Sequence, residues 1–431
     1  KKLITTLPLI IALASGAQVL PAGYEQQVKK ITPQVIEWRR YFHQYPELSN
    51  REYNTGKKIA SLLNEMGIAT RTVAGTGVVG VLKGGKPGKV IALRADIDGL
   101  LVTERNDLPY RSKATAEYNG QQVGVMHACG HDAHIAMLLG TAKVLSEMKE
   151  EVPGTVVFLF QPAEEGPPGK EEGGAPLMIK EGALDNPKVD AVFGIHIEAF
   201  GDPGKVYYKP EAFMASSDWF TIKVKGRQSH GAEPWKSVDP IVVSSAIIQN
   251  LQTIVSRQMD LTRAPVIITV GKIHAGVRPN IIPEEAEMEG TIRTLDSKMQ
   301  KEVHERIRKT VQSIAASYGA TAEVTIDTKT LVTYNDPKLV EQSLPVLQHP
   351  LGKENVVPYH WVTGAKDFSF YGTKAPAFFF YLGARSPLFT EEQAPAHHTP
   401  DFRIDDSRLD AGVRAFTQLV MGTDEQGTRN R

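Results

Sequence analysis

A series of short apolar segments alternates with helical segments along much of this chain, and this pattern limits its fold. The apolar segments cover residues 90–94, 155–160, 191–197 and 377–382. Each has the length of one buried strand, and the intervening segments have helical periodicity. Buried strands that alternate with helices are typical of an α/β core with a mostly parallel sheet. We therefore expect an α/β fold.

The order of elements changes between about residues 215 and 327. There the pattern predicts strand, helix, strand, strand, helix and strand, the order of a ferredoxin-like α+β unit. We predict that this unit is a smaller domain, residues 214–328, inserted into a main domain formed by residues 24–213 and 329–431. Ser49 to Glu52 also have the pattern of a capping box, which predicts a helix start there.

The first residues have the organisation of a secretory signal. Lys1 and Lys2 precede the apolar run 3–14, and small residues follow at 15–17. The alternative is a membrane anchor, but the run is short against the roughly 20 residues that span a bilayer. We expect a signal peptide at residues 1–23 and an exported, periplasmic or secreted protein without stable membrane insertion.

Charge and cysteine content exclude several classes of protein. Lys plus Arg and Asp plus Glu both number 49, so the formal net charge is zero. A general nucleic-acid or anionic-membrane binder needs a basic excess, so we expect no nucleic-acid partner. Cys129 is the single cysteine, which rules out an intramolecular disulfide.

The densest group of reactive side chains is the segment HACGHDAH at residues 127–134. It places thiol, imidazole and carboxylate groups just before a predicted helix. These are the ligand types of zinc and similar ions, and a structural zinc site would need a second cysteine. A Cys–His pair acting as a nucleophile is the alternative interpretation.

Further ligand types follow the predicted strands. Glu164 and Glu165 come shortly after the strand 155–160, His196 lies near the end of the strand 191–197, and Asp98 follows the strand 90–94. The carboxyl ends of parallel strands share one edge of the sheet, where α/β proteins place their sites. One glutamate suits a metal ligand and its neighbour a general base, while Asp98 suits a carboxylate that orients a ligating imidazole.

The motifs, taken in order, resemble the M20 metallopeptidases. The similarity is to the branch of N-acyl-amino-acid amidohydrolases, hippurate hydrolases and auxin-conjugate hydrolases. It covers nearly the whole chain after the signal. The matching segments are RRYFHQYPEL from Arg39, LRADID from Leu93, MHACGHDAH from Met126, FQPAEEG from Phe160, GIH from Gly194, SHGAEP from Ser229, RPNIIP from Arg278 and HHTPDF from His397.

This resemblance implies a zinc-exopeptidase-like catalytic domain with an inserted lid or dimerisation domain. It also implies two divalent metal ions, zinc, manganese or cobalt, with the Cys129 thiolate shared between them. Glu164 is the implied general base. His398 is preferred to His397 because the family ligand directly precedes a Ser/Thr-Pro pair. The implied ligands are Cys129, His131, Glu165, His196 and His398.

The resemblance assigns three residues of the inserted domain to substrate handling. His230 matches the family histidine that supports the oxyanion, often across a dimer interface, so a homodimer is implied. Asn280 and Arg278 match the groups that receive the substrate carboxylate or carbonyl. The alternative is that His230 and Asn280 are ordinary turn residues. The chain also departs from the family pattern after Asp98, where it has Gly-Leu-Leu instead of Ala-Leu-Pro.

The expected activity is metal-dependent hydrolysis of the amide bond of N-acyl amino acids, with a small N-acyl amino acid or short peptide as substrate. A carboxypeptidase or dipeptidase of the same fold is the nearest alternative. A thiol hydrolase that uses Cys129 leaves Glu164 and Glu165 unexplained. A non-catalytic exported binding protein is the remaining alternative, and the retention of Glu164 argues against it.

Overall fold

The computed structural model describes residues 23–422, so the predicted signal at residues 1–23 lies almost entirely outside the described residues. Within the described part of the chain, none of the helices is long and apolar enough to cross a membrane. The helices are α1 Tyr24–Gln44, α2 Tyr53–Glu65, α3 His131–Glu147, α4 Gly174–Lys180, α5 Pro240–Thr253, α6 Ser297–Ser317, α7 Pro337–Leu351 and α8 Asp410–Gly422.

The strands reproduce the predicted alternation and add several short ones. They are β1 Ala69–Val73, β2 Gly77–Lys83, β3 Lys86–Asp96, β4 Thr115–Tyr118, β5 Gln121–Gly124, β6 Pro153–Gln161, β7 Ala191–Glu198, β8 Val206–Tyr208, β9 Glu211–Met214, β10 Ser217–Lys225, β11 Ser229–His230, β12 Val266–Ala275, β13 Ile281–Ile282, β14 Glu285–Thr294, β15 Thr321–Thr330, β16 Thr333–Asn335, β17 Val356–Pro358 and β18 Ala377–Gly383.

An eight-stranded sheet forms the centre of the main domain. Its order is β1-β2-β6-β3-β7-β18-β8-β17. The central neighbours β6, β3, β7 and β18 pair in parallel, while β1–β2, β2–β6 and β18–β8 pair antiparallel. The mostly parallel sheet predicted from the apolar segments is therefore confirmed.

Both faces of this sheet are covered, which explains why its central strands are apolar throughout. Phe158 and Phe160 of β6 point to the side of α1, α3 and α8. Val157 and Leu159, which alternate with them, pack on the other side with Met178 of α4. Because strand side chains alternate between faces, both sets of β6 side chains from Val156 to Gln161 are buried.

The predicted ferredoxin-like unit is present as a separate sheet. Its order is β12-β14-β10-β15, with antiparallel pairing throughout, and α5 and α6 share its core. Asp239 caps α5 by accepting the N–H groups of Ile241 and Val242, as its position before Pro240 predicts. The sheet strands run from Ser217 to Thr330, and the exact domain limits of 214 and 328 stay a prediction.

The capping box expected at Ser49 to Glu52 is wrong. α2 begins at Tyr53 without a side-chain cap. Ser49 instead donates to the Asp98 carboxylate at 2.7 Å, and the Glu52 carboxylate accepts the Thr76 hydroxyl at 2.6 Å. The side chains of Ser49 and Glu52 therefore bind tertiary partners instead of forming the two hydrogen bonds of a capping box.

Candidate metal centre and active site

Three neighbouring strands deliver polar side chains to one edge of the large sheet. β3 ends at Asp96, which lies opposite Gln161 at the end of β6. β7, on the other side of β3, carries His196 near its own end. These strands are parallel, so their carboxyl ends meet, as the sequence predicts.

A tight turn at the same edge sets Cys129 beside His131, the first residue of α3. Gly130 between them has a φ of 87°, in the left-handed region. A Cβ atom at this position would lie 2.1 Å from Ile197 Cγ2. Both the backbone conformation and the close approach of β7 therefore require glycine here.

Cys129 is the centre of a compact group of donor atoms. Its Sγ lies 3.3 Å from Nε2 of His196 and 3.3 Å from Nε2 of His398. Glu165 Oε1 lies 3.2 Å from His398 Nε2 and 3.7 Å from His131 Nε2. The structure thus brings together all five residues expected to be ligands, although their roles stay a prediction.

The described residues contain two donor groups that share Cys129. Cys129, His131 and Glu165 form the first donor group, and Cys129, His196 and His397 form the second donor group; within each, the ligand atoms lie within 4.8 Å of one another. His397 Nε2 lies 3.3 Å from Glu198 Oε2, while its Nδ1 is buried and has no hydrogen-bond partner. Both histidines of the pair therefore reach the cluster, where the sequence favoured His398 alone.

Two buried atoms show that a metal ion fits the first donor group. His131 Nε2 and Glu165 Oε1 are buried without a hydrogen-bond partner. Buried polar atoms are rarely left in this way, and a cation would satisfy both. Thiolate, imidazole and carboxylate together are the donor types of zinc and other borderline ions.

The protonation of Cys129 agrees with a ligand role. Burial raises the pKa of the thiol, but the ammonium of Lys366 and the nearby His196 outweigh burial and bring the pKa well below its usual range. The thiolate is the form that binds metal.

Asp98 lies behind His131. The Nδ1 atom of His131 is 2.9 Å from the backbone oxygen of Asp98 and 3.2 Å from its Oδ1. Asp98 also accepts the N–H of Glu165 at 3.0 Å. It therefore fixes the ring of one candidate ligand and the backbone of another.

Glu164 lies beside the donor groups in a buried position. Its Oε2 is 3.7 Å from His131 Nε2. Burial raises the pKa of Glu164 to about 8, even though the ammonium of Lys366 lowers it. A carboxyl group that titrates near neutral pH suits a residue that takes up a proton and later releases it.

Lys366 is a site residue that the sequence analysis missed. Its Nζ lies 2.8 Å from Glu164 Oε2 and 3.6 Å from Cys129 Sγ, and its side chain is 8% exposed. It follows no apolar strand, and it lies 202 residues from Glu164 in the chain. The sequence contains only one weak indication that Lys366 is a site residue: it stands directly before Asp367 in an otherwise apolar and aromatic segment.

His230, Asn280 and Arg278 lie together in the inserted unit. His230 pairs with Ile281 in the short β11–β13 ladder, and the N–H of Gly231 donates to the backbone oxygen of Asn280 at 2.8 Å. The polar contacts that the structure gives His230 are local and include the N–H of Ala232. Arg278 lines a separate cavity of about 350 Å³. The structure groups these three residues but does not place them at the donor groups.

Comparison with known proteins identifies the family. Residues 92–422 match the model of peptidase family M20/M25/M40. The chain therefore belongs to this family, and the resemblance drawn from the motifs is confirmed. Its members among the relatives below are hydrolases that act on amide bonds.

Two relatives and one solved structure show the range of that family. Thermostable carboxypeptidase 1 of Saccharolobus solfataricus is 39% identical over 92% of this chain and 97% of its own. N-acetylcysteine deacetylase of Bacillus subtilis is 36% identical over 91% of this chain and 97% of its own. The Bacillus subtilis YXEP protein, a dinuclear metal binding peptidase from the M20 family, is 34% identical with a TM-score of 0.75, covering 91% and 98% of the two chains. The fold expected from the resemblance is confirmed.

Proposed function

We propose that this chain hydrolyses the amide bond of N-acyl amino acids. The observation that carries the proposal is the position of buried Glu164 beside the unsatisfied atoms His131 Nε2 and Glu165 Oε1. A relative named N-acetylcysteine deacetylase, 36% identical, supports an acyl amino acid as substrate.

The metal would be held by Cys129, His131, Glu165, His196 and the His397–His398 pair. We propose zinc, manganese or cobalt, since the mixed donor set accepts each of these ions. A divalent ion bound there would lower the pKa of water and polarise the substrate carbonyl.

Glu164 would move the proton. Its carboxylate takes a proton from the attacking water as the oxygen bonds to the carbonyl carbon. The same carboxyl group then donates that proton to the nitrogen as the C–N bond breaks, so that an acid and an amine are released. Burial of Glu164 keeps bulk water from competing for this proton.

The inserted unit would supply further substrate-binding residues to the site in the main domain. We propose that His230 supports the oxyanion and that Asn280 and Arg278 receive the substrate carboxylate, by closure of the unit or from a second subunit. Their grouping on the β11–β13 ladder supports a joint role. A hydrogen-bond donor that acts only on the oxyanion contributes about 100- to 1000-fold in rate.

A carboxypeptidase activity is the second candidate. It rests on a relative named Thermostable carboxypeptidase 1, which is 39% identical. Both reactions break an amide next to a free carboxylate and use the same residues of the main domain.

The test measures amine release from N-acetyl and N-benzoyl amino acids and from dipeptides, using metal-loaded protein. Glu164→Gln should retain metal and lose several orders of magnitude in rate, whereas the control Glu172→Gln, on the exposed loop, should match wild type. Cleavage of acyl amino acids supports the proposal, and cleavage of dipeptides alone supports the carboxypeptidase. No cleavage of either class, or a Glu164→Gln variant with substantial activity, would refute the mechanism.

We also propose that residues 1–23 direct export of the protein. N-terminal sequencing of the chain recovered from the periplasm or the medium tests this. A mature protein that begins between Ala17 and Gly23 is expected, and a chain that stays in the cytoplasm with Lys1 intact would contradict export.

A further inference from the structure

Lys366 places a fixed positive charge among the candidate metal ligands. Its ammonium lies 2.8 Å from the Glu164 carboxylate and 3.6 Å from the Cys129 sulfur. A lysine carries a positive charge at neutral pH, and this side chain is 8% exposed. The side chain is therefore a buried cation that touches a donor atom.

This charge acts mainly on the first donor group, Cys129, His131 and Glu165. The acidic groups that attract the ammonium of Lys366 electrostatically are Cys129, Glu164, Glu165 and Asp96. Two of these belong to the first donor group, and the other two contact it: Glu164 Oε2 lies 3.7 Å and Asp96 Oδ2 lies 3.5 Å from His131 Nε2. A cation bound by this group would share its anionic neighbours with the ammonium.

The second donor group, Cys129, His196 and His397, draws on a different carboxylate, Glu198. Glu198 lies behind both of its imidazoles, with Oε1 3.1 Å from His196 Nδ1 and Oε2 3.3 Å from His397 Nε2. Such carboxylates increase the basicity of ligating histidines. Asp98 does the same for His131, so the histidines of both groups have carboxylate support. What disfavours a cation in the first group is the ammonium of Lys366, which already pairs with the neighbouring Glu164.

Two divalent ions and Lys366 would compete for the same negative charges. Both ions would bind the Cys129 sulfur, which already contacts the ammonium. Like charges at this range repel strongly where burial reduces the screening by water. The position closer to the ammonium loses more affinity.

We infer that Lys366 restricts this chain to one tightly bound divalent ion, held by the second donor group, and that the first donor group binds its ion only weakly. This inference rests on the proposed metal role of Cys129. It sets the chain apart from its relative, which is a dinuclear metal binding peptidase.

The experiment counts zinc ions per chain. Metal-free full-length protein is titrated with Zn²⁺ by calorimetry, and the ions retained after desalting are counted by mass spectrometry. Wild type should retain one ion, and Lys366→Met should retain two because the competing charge is gone. Lys366→Arg keeps the charge and should retain one. Lys374→Met removes an exposed lysine close by in sequence and should also retain one.

Two results would overturn the inference. One is a wild-type chain that retains two ions, and the other is a Lys366→Met chain that still retains one. If Lys366→Met does not fold, Lys366→Gln replaces it. The wild-type chain also gives an independent test with Co²⁺, because its thiolate-to-cobalt absorption should reach full intensity at one equivalent and should not increase with a second.

The outcome is separable from that of the proposed function. A chain that retains one ion but cleaves no acyl amino acid or dipeptide would refute the proposed hydrolysis and leave the inference standing. A chain that retains two ions and cleaves acyl amino acids would refute the inference and leave the proposed hydrolysis standing.

Discussion

The guanidinium of Arg94 lies 2.6 Å from Oδ2 of Asp96, and both side chains are almost fully buried. Arg94 also contacts Asp367 at 3.1 Å and the side-chain oxygen of Gln161 at 2.9 Å. One buried cation thus holds two carboxylates, Asp96 at the end of β3 and Asp367, close to the candidate metal centre. Breaking such a pair leaves buried charges without a partner.

Arg94→Met should therefore lower the free energy of unfolding by about 3 to 5 kcal/mol. Arg105→Met is the matched control, because Arg105 pairs with Asp401 at the surface. An exposed pair contributes at most about 1 kcal/mol. Urea unfolding followed by circular dichroism measures both variants, and equal losses in the two would contradict the role given to Arg94.

Asp98→Ala should weaken binding of the ion at the first donor group by about 10- to 100-fold, since it frees the ring of His131 that Asp98 now orients. Competition with a chromogenic chelator measures the affinity. The control is Asp107→Ala, which removes an exposed carboxylate from the same connection between β3 and β4. This variant should bind metal with the affinity of wild type. An Asp98→Ala variant of unchanged affinity would remove Asp98 from the support of the ligands.

Removal of the metal should abolish hydrolysis, and zinc, manganese or cobalt should restore it. The donor groups share the Cys129 thiolate, so bound metal should also protect Cys129 from iodoacetamide. Rate assays and mass spectrometry of the alkylated cysteine follow the two effects. Full activity in a chelator-treated, metal-free sample would instead favour the thiol hydrolase that uses Cys129.

The positions of the candidate ligands could be predicted because the sheet determines them. Glu165 and His196 are far apart in sequence, but each lies at the carboxyl end of an apolar segment. Parallel pairing of those segments brings their ends to one edge. The same reasoning placed Asp98 at this edge as a carboxylate that orients a ligating imidazole, without selecting which one.

Other features depend on tertiary contacts that no local pattern records. Lys366 precedes a 3-10 helix, Asp367–Thr373, instead of a strand, and its partner Glu164 is 202 residues away. α7 carries Pro345 and Pro350 inside it, which hides its helical periodicity. Glu52 has the local sequence of a helix cap, yet Thr76 and the N–H of Ala163 bind its carboxylate.

His230→Ala should lower kcat by about 100- to 1000-fold while the metal content stays unchanged, if His230 supports the oxyanion. His230 is exposed and makes local contacts, so its loss should leave folding intact. His274→Ala, an exposed histidine of β12 in the inserted unit, is the control. Steady-state rates and metal analysis test this, and an unchanged kcat in His230→Ala would show that His230 is a turn residue.

Glu52→Gln should stabilise the protein above neutral pH. Burial and the nearby Asp98 carboxylate raise the pKa of Glu52 from 4.5 to about 7. Below pH 4.5 the carboxyl group is neutral in both states, so the contribution of this group to stability is fully present. Between pH 4.5 and 7 the unfolded chain ionises first, and wild type loses stability as the pH rises.

The neutral amide in Glu52→Gln does not ionise, so the variant does not lose stability in this way as the pH rises. The variant should therefore match wild type within error near pH 4.5 and exceed it by about 2 to 3 kcal/mol at pH 8. Urea unfolding of both proteins across this pH range, with Glu47→Gln as a second carboxylate variant, measures the difference. A gap between wild type and Glu52→Gln that is constant with pH would show that folding does not raise the pKa of Glu52. A gap that widens as the pH falls would show that folding lowers it.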